Sequence, residues 1–392
     1  MNILFLSFYF EPDLCAGSFR NTSLFKELLE QLGQETVVDV VTTQPNRYDS
    51  YKVKADSVDR LNNQVTIHRI EIPEHGSGII GQIKSFKKFY FDTLTLVKDK
   101  EYDLVYASSS RLFTAFLGAK IARKQKAKLY LDIRDIFRET ITDIFKNKLL
   151  KLGLNTVLKP IERYTFGYAD HINLVSEGFK SYFDQYETSY SFYTNGIDEI
   201  FLKDSQSEPL ELNDQEVKTI VYGGNIGEGQ GLDLVIPPLA EKFTGVFEFL
   251  IIGDGGAKTK LVEEITKRGL KNVKLIPPVS RKELIGYYES SHYLFLHLNK
   301  HKAFERVLPS KLFEYGTFNK PIIAGVGGYA NVFLSEHLDN ILLFEPTNFE
   351  ELSEKLKTYK YKMVDRKVFK KKFSRKEINK QMAKSIISLL NG

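Results

Sequence analysis

Thr219-Ile220-Val221-Tyr222-Gly223-Gly224-Asn225-Ile226-Gly227-Glu228-Gly229-Gln230-Gly231-Leu232-Asp233 is the stretch that decides the fold. An apolar, β-branched run meets a cluster of glycines, and a new apolar pattern opens behind it. That is strand, glycine loop, helix start. Leu250-Ile251-Ile252-Gly253-Asp254-Gly255-Gly256 repeats the pattern. Outward from these two, apolar runs alternate with helical patterns, which predicts an α/β chain with parallel sheets covered by helices. In the first half, strands fit at 3–7, 37–42, 66–70, 104–107, 128–132 and 171–175, with helices at 18–32, 81–100, 112–124 and 154–168. In the second, strands fit at 219–222, 247–252, 273–276, 293–298, 321–324 and 340–344, and an amphipathic helix closes the pattern at 375–390. The acid-rich stretch 203–217, with Pro209, reads as a linker, and 392 residues suit two domains better than one core.

A second stretch carries chemistry. In Leu308-Pro309-Ser310-Lys311-Leu312-Phe313-Glu314-Tyr315, Pro309 suits the first position of a helix. The free N–H groups of Ser310 and Lys311 would then stand at a positive helix end beside the Lys311 ammonium, which is what a diphosphate needs. Glu314 falls one turn further on, where a carboxylate accepts hydrogen bonds from adjacent sugar hydroxyls. A Pro-capped helix with an exposed acid reads the same eight residues equally well.

Tyr193-Thr194-Asn195-Gly196-Ile197-Asp198 precedes both glycine loops. Taken with them and with the Leu308–Tyr315 stretch, it resembles retaining glycosyltransferases of family 4, which have the GT-B fold. The resemblance covers nearly the whole chain and is nearest to bacterial O-antigen and capsule sugar transferases, including the N-acetylfucosamine-transferase-like branch. It implies two Rossmann-like domains with parallel sheets facing across a cleft. Residues 1–202 would form the acceptor side, helped by a returning helix at 375–392. Residues 203–217 would be the linker, and 218–374 the nucleotide-sugar domain.

The resemblance also assigns residues. Glu314 becomes the ribose ligand, and Lys311, Ser310 and the Gly224–Gly227 amides, with Asn225 between them, meet the diphosphate. Gly253 lines the second glycine loop, and the base sits by the backbone of Pro278, Val279 and Ser280. In the loop after the first strand, Gly17 and Arg20 face the donor phosphate or the acceptor; a helix start with a surface arginine is the plainer reading. Asp132-Ile133-Arg134-Asp135 ends the fifth strand, and Asp135 with Arg134 is the catalytic pair, unless it only orders a loop. Two departures stand out. Many relatives carry Glu eight residues before Glu314, where this chain has Arg306; many also carry Arg and Lys where it has Asn225 and Gln230. Phosphate charge then falls to Lys311 and Arg306, although Arg306 also reads as a solvated loop charge. His297 and His301 read as structural or incidental, and Cys15 as a small inert residue.

Composition narrows the rest. Apolar residues make up 42% and aromatics 13%, a globular balance. No run reaches the ~18–20 apolar residues of a spanning helix, and the opening residues read as a buried strand, not a secretory signal. One cysteine, scattered histidines and no Asp-x-Asp predict a cytoplasmic chain with no metal or other cofactor. Residues 81–150 hold 15 Lys and Arg against 8 acids, and 351–392 hold 13 against 4. Such faces suit an anionic partner, and no nucleic-acid reading motif accompanies them. Lys84, Lys87 and Lys88 among aromatics, and the Lys-Leu pattern at 145–161, fit a bilayer surface; helices docked on their own sheet give the same pattern.

The expectation is a peripheral enzyme at the inner face of the membrane. It moves a sugar, with retention, from a UDP-N-acetyl sugar to a hydroxyl of a lipid-linked surface glycan. Two alternatives remain: a non-hydrolysing UDP-sugar epimerase of the same fold, and a non-catalytic glycan- or nucleotide-binding relative. A Rossmann dehydrogenase is disfavoured, because no Gly-x-Gly-x-x-Gly follows the first strand.

Overall fold

The computed structural model describes residues 1–46, 53–73, 79–109, 112–144, 147–203 and 217–391. The chain divides into two compact units, Met1–Asn195 with Arg375–Gly392, and Gly196–Ser374.

The first unit is built on eight strands: β1 (Asn2–Ser7), β2 (Val37–Thr43), β3 (Val58–Arg60), β4 (Val65–Ile70), β5 (Leu104–Ser109), β6 (Lys128–Ile133), β7 (His171–Leu174) and β8 (Ser189–Ser191). Their order is β3-β4-β2-β1-β5-β6-β7-β8, parallel except for the β3–β4 pair. β1, β5 and β6 are buried almost end to end, which explains why they read as continuous apolar runs and not as alternating ones. Alternation sorts their side chains between two layers. Leu104, Tyr106 and Tyr130 share a core with Leu24 and Phe25 of the helix Ala16–Leu29, and with Met382, Ala383 and Ile386 of the helix Arg375–Asn391. On the opposite face, a Cβ at Gly118 of the helix Leu112–Gln125 would meet Ala107 and Val105. The helices Ile79–Leu96 and Lys148–Phe166 flank that helix, with Phe86 and Phe113 centroids 5.3 Å apart and Phe116 and Tyr164 centroids 5.5 Å apart.

The second unit has six parallel strands: β9 (Lys218–Gly223), β10 (Phe247–Ile252), β11 (Val273–Ile276), β12 (Tyr293–His297), β13 (Ile322–Gly325) and β14 (Ile341–Phe344). Their order is β11-β10-β9-β12-β13-β14. The chain moves outward from β9 in one direction and then restarts on its other side with β12. Such a reversal opens a crevice at the carboxyl ends of the two central strands, where ligands of open α/β sheets bind. The glycine loop leaves β9 at that point.

The boundary between units falls earlier than residue 202. The Ile197 N–H donates to the Phe373 carbonyl at 2.7 Å, Ile197 forms a parallel bridge with Ser374, and Asp198 pairs with Arg281 at 2.9 Å. These bonds tie the stretch after Asn195 to the second unit. Of the expected linker, residues 204–216 lie outside the described residues. β3 and β8 were not expected; three residues are too few to show a period. The helix expected at 154–168 begins at Lys148, because Asn147 caps it by accepting from the Leu149 and Leu150 amides. Among the described residues, no helix is long and apolar enough to cross a membrane.

Candidate nucleotide-sugar site

The second unit brings the glycine loop and the Lys311 stretch together. Gly224 has φ +148, a conformation open mainly to glycine, and the Lys311 Nζ occupies the place a Cβ there would take. The ammonium also lies over the Tyr222 ring, 5.4 Å from its centroid. Gly253, with φ +141, lets the second glycine loop approach so closely that a Cβ would strike the Gly224 carbonyl. Three tyrosines hold the loop. The Tyr222 hydroxyl donates to the Asn225 carbonyl at 2.6 Å, the Tyr288 hydroxyl donates to the Gly223 carbonyl at 3.4 Å, and the Gly223 N–H donates to the Tyr315 hydroxyl at 3.4 Å. Reading the sequence missed all three as site residues, although Tyr222 ends β9 and Tyr315 follows Glu314.

The helix carrying Lys311 and Glu314 is only Lys311–Tyr315, so Pro309 precedes it and does not open it. Ser310 is its N-cap residue and makes no side-chain capping bond. The Leu312 and Phe313 amides bond to the Pro309 and Ser310 carbonyls. Lys311 is half-buried; the surrounding protein lowers its pKa, and the charge of Glu314 works against that shift. The half-buried Glu314 carboxylate has no hydrogen bond or ion pair among the described residues.

Three of the four loop amides expected to meet phosphate, those of Gly224, Ile226 and Gly227, are already committed. The Gly224 N–H goes to the Ile252 carbonyl at 2.7 Å and the Ile226 N–H to the Asp254 carbonyl at 2.8 Å. The Gly227 N–H donates to Gln230 Oε1 at 3.2 Å, and Asn225 Nδ2 donates to the same oxygen at 2.8 Å. His297, buried and held below its ordinary pKa by that burial, down to about 4, faces the Gln230 carbonyl through Nδ1 and accepts the Thr347 amide at Nε2. It therefore sits as a neutral imidazole locking the loop, the structural part expected of it. Near β11, Pro278 has no N–H and the Ser280 N–H is bound by Glu283 in a capping box. Of the three residues expected around the base, only Val279 keeps a backbone donor. Arg306 is half-buried at the end of the 3-10 turn Lys302–Arg306, just before the Leu308–Tyr315 stretch.

In the first unit, the structure overturns one assignment. Arg20 is buried and forked onto Asp132, with Nε to Oδ2 and Nη2 to Oδ1 both at 2.9 Å. Its remaining donors reach the Thr194 carbonyl at 2.7 Å and the Tyr193 carbonyl at 2.8 Å. Asn173 and Tyr106 also donate to Asp132. Burial alone would raise the Asp132 pKa, but Arg20 and Asn173 hold it below the ordinary range. Arg20 is thus a pillar of the sheet and does not face a ligand. Gly17 and Arg134, from motifs far apart in sequence, do meet: a Cβ on Gly17 would stand 2.6 Å from Arg134 Nη1. The Arg134 Nε is buried with no hydrogen-bond partner among the described residues. Asp135 beside it is an exposed residue; desolvation of its carboxyl by the surrounding protein pushes it up to about 6, against the opposing pull of Arg134.

The matches to known proteins fit this geometry. Residues 204–373 match the family model described as glycosyl transferases group 1. Over 109 residues the chain is 37% identical to the putative colanic acid biosynthesis glycosyl transferase WcaI of Escherichia coli K12, covering 28% of this chain and 26% of that protein. The chain therefore spans about a quarter of the length of that curated relative. The fold of the whole chain is that of Anabaena Alr3699/HepE in complex with UDP, at TM-score 0.68, 16% identity, and 99% and 100% of the two chains. It is also that of the lipopolysaccharide outer core galactosyltransferase WaaB, at TM-score 0.62, 15% identity and 99% of each chain. The two parallel-sheet units are the Rossmann-like halves of the GT-B fold, and the segment that matches the family model lies in the half that holds Lys311 and Glu314.

Proposed function

We propose that the chain transfers a sugar from a nucleoside-diphosphate sugar to a hydroxyl of a surface-glycan acceptor. UDP and an N-acetylated sugar form the donor, the sugar keeps its anomeric configuration, and the acceptor is lipid-linked. The observation that carries this reading is the Lys311 ammonium standing on the open face of Gly224, one helical turn from the Glu314 carboxylate, which has no partner among the described residues, at the point where the strand order reverses. Cation and acid at that spacing match a diphosphate and a ribose. A structural relative holds UDP or UDP-glucose, and WcaI is named for colanic acid biosynthesis, which supports both ends of the reading.

In the proposed reaction the bond from the sugar's anomeric carbon to the diphosphate oxygen breaks, and a bond from the same carbon to the acceptor oxygen forms on the same face. The acceptor's proton leaves with the departing diphosphate or passes to Asp135, whose raised pKa suits it to hold a proton near neutrality. Arg134, whose Nε has no hydrogen-bond partner among the described residues, supplies positive charge for the developing negative charge. Among the described residues no group of three or more His, Cys, Asp or Glu is placed to hold a metal ion; in this reading Lys311 meets the diphosphate charge, and transfer proceeds in the presence of EDTA.

The test is incubation of the full chain with UDP-N-acetylglucosamine and other UDP sugars, with and without a lipid-linked glycan extract. Transfer that needs the acceptor supports the reading. Conversion of donor alone would show an epimerase, and UDP binding without turnover of any donor would show a non-catalytic relative.

A further inference from the structure

Lys320 takes no part in the donor contacts described above, yet it is wholly buried just ahead of β13. Its ammonium donates to three backbone carbonyls, those of Tyr288 at 3.0 Å, Glu289 and Ser291. All three lie at the carboxyl end of the helix Arg281–Ser290, whose cap residue Ser291 is extended. A helix leaves its last carbonyls unpaired and its carboxyl end negative. A left-handed glycine after the last turn commonly settles that end without any charge. Here a buried cation settles it, and burial holds the ammonium below its ordinary pKa, down to about 8, against the pull of Glu289. A buried charge is costly to desolvate. It is therefore a poor source of stability, and its use is in fixing one arrangement among several.

The arrangement it fixes is that of Gly223, where the glycine loop leaves β9. The Gly223 N–H donates to the Tyr315 hydroxyl and the Gly223 carbonyl accepts from the Tyr288 hydroxyl, each at 3.4 Å. The two tyrosine rings meet edge to face, with centroids 5.2 Å apart, and Phe318 packs on Tyr288 at 5.6 Å. A Cβ on Gly223 would stand 2.6 Å from both the Tyr288 hydroxyl and Leu284, so helix and loop are in direct contact. Tyr315 ends the short helix that carries Lys311. Lys320 follows in the next turn of chain and reaches back to the carbonyl of Tyr288 itself. The contacts close on themselves: Gly223 to Tyr315, along the chain to Lys320, across to Tyr288, and back to Gly223. Gly224, the next residue, is where the Lys311 ammonium rests.

We propose that Lys320 is a positioning residue of the donor site: by holding the carboxyl end of the helix Arg281–Ser290 it fixes the Gly223 peptide between Tyr288 and Tyr315, and so sets where the Lys311 ammonium stands for a diphosphate. The inference rests on the reading of Lys311 as the cation that meets the donor's diphosphate.

Calorimetric titration of the full chain with UDP and with uridine tests it. Lys320→Met keeps the reach of the side chain and removes its donors. It should weaken UDP roughly tenfold and uridine little, an effect of the size transmitted through packed neighbours. Tyr288→Phe, which removes one oxygen, should shift the ratio of the two affinities the same way by less. In a Lys311→Ala background, Lys320→Met should cost UDP nothing further, because its effect passes through that ammonium. A lysine that only stabilised the fold would lower the melting temperature and leave the ratio alone. That result would overturn the proposal, as would additive losses in the Lys311→Ala, Lys320→Met double variant. Should Lys320→Met not fold, Lys320→Gln gives the same measurement, since its amide keeps two donors; an unchanged ratio there is equally fatal. A wild-type chain that binds UDP no better than uridine would overturn the diphosphate reading of Lys311, and this inference with it.

Discussion

Asn225 and Gln230 satisfy each other across the glycine loop: the Asn225 amide donates to Gln230 Oε1 at 2.8 Å, and the same oxygen accepts the Gly227 N–H at 3.2 Å. The two positions expected to lack basic charge therefore do more than lack it. They consume a backbone donor that phosphate would have used. Lys311 becomes the principal cation of the loop.

Lys311→Ala is expected to weaken UDP by roughly ten- to hundredfold, the loss of a hydrogen bond to a charged group at about 1.5–3 kcal/mol, and to leave uridine nearly unchanged. Gly224→Ala should have the same signature, because its Cβ would displace the ammonium; it should also lower the melting temperature through strain of about 1–3 kcal/mol at φ +148. Calorimetric titration of both ligands checks this, and equal weakening of uridine and UDP would show that Lys311 acts through packing.

Glu314→Gln should weaken uridine and UDP alike by roughly 1.5–3 kcal/mol, since the proposed contact is to ribose. The carboxylate has no intramolecular partner among the described residues, so the melting temperature should hold. Wild-type affinity in this variant would end the ribose assignment.

Arg20→Met is expected to cost about 3–5 kcal/mol of stability, the usual consequence of stranding a buried partner, here Asp132. UDP affinity should survive at temperatures where the variant is folded. Denaturant unfolding of Arg20→Met, Asp132→Leu and the double variant checks the pairing: the double change should cost less than the two single changes together. A folded Arg20→Met with lost donor binding would restore Arg20 to a ligand.

Asp39 supplies an acid-sensitive contact. Burial pushes its pKa up, but hydrogen bonds from His68, Lys100 and Tyr102 bring it down to about 2. A depressed carboxylate contributes stability above its unfolded value near 4, and loses it as pH falls toward about 2. The amount is on the order of 2 kcal/mol. Unfolding free energy measured between pH 5 and roughly 2 should decline less steeply in Asp39→Asn; parallel slopes would remove Asp39 as a source of the decline.

Elements were legible where burial forced a pattern. β1, β5, β6 and β9 announce themselves because a strand covered on both faces must be apolar throughout. The three-residue strands β3 and β8 have no period to show. Sites were legible only in part. The Leu308–Tyr315 stretch is local, so its spacing carried through to the fold. Arg20 was misread because its partner Asp132 stands 112 positions away, and a first-turn arginine looks the same whether it meets solvent, phosphate or a buried aspartate. The amides of Gly224 and Gly227 were misread for a related reason. A glycine loop shows where backbone can approach a ligand, but not which of its N–H groups the neighbouring strands have taken.

The helix Arg375–Asn391 completes the first unit, seating Met382, Ala383 and Ile386 among residues of β1, β5 and β6. A ribosome delivers that helix only after every residue of the second unit. During synthesis the contiguous second unit can therefore close its core while the first still lacks one wall, with Tyr106 and Tyr130 unroofed. The half whose strands emerge first is the half that finishes last, because its remaining wall follows the second unit in the chain.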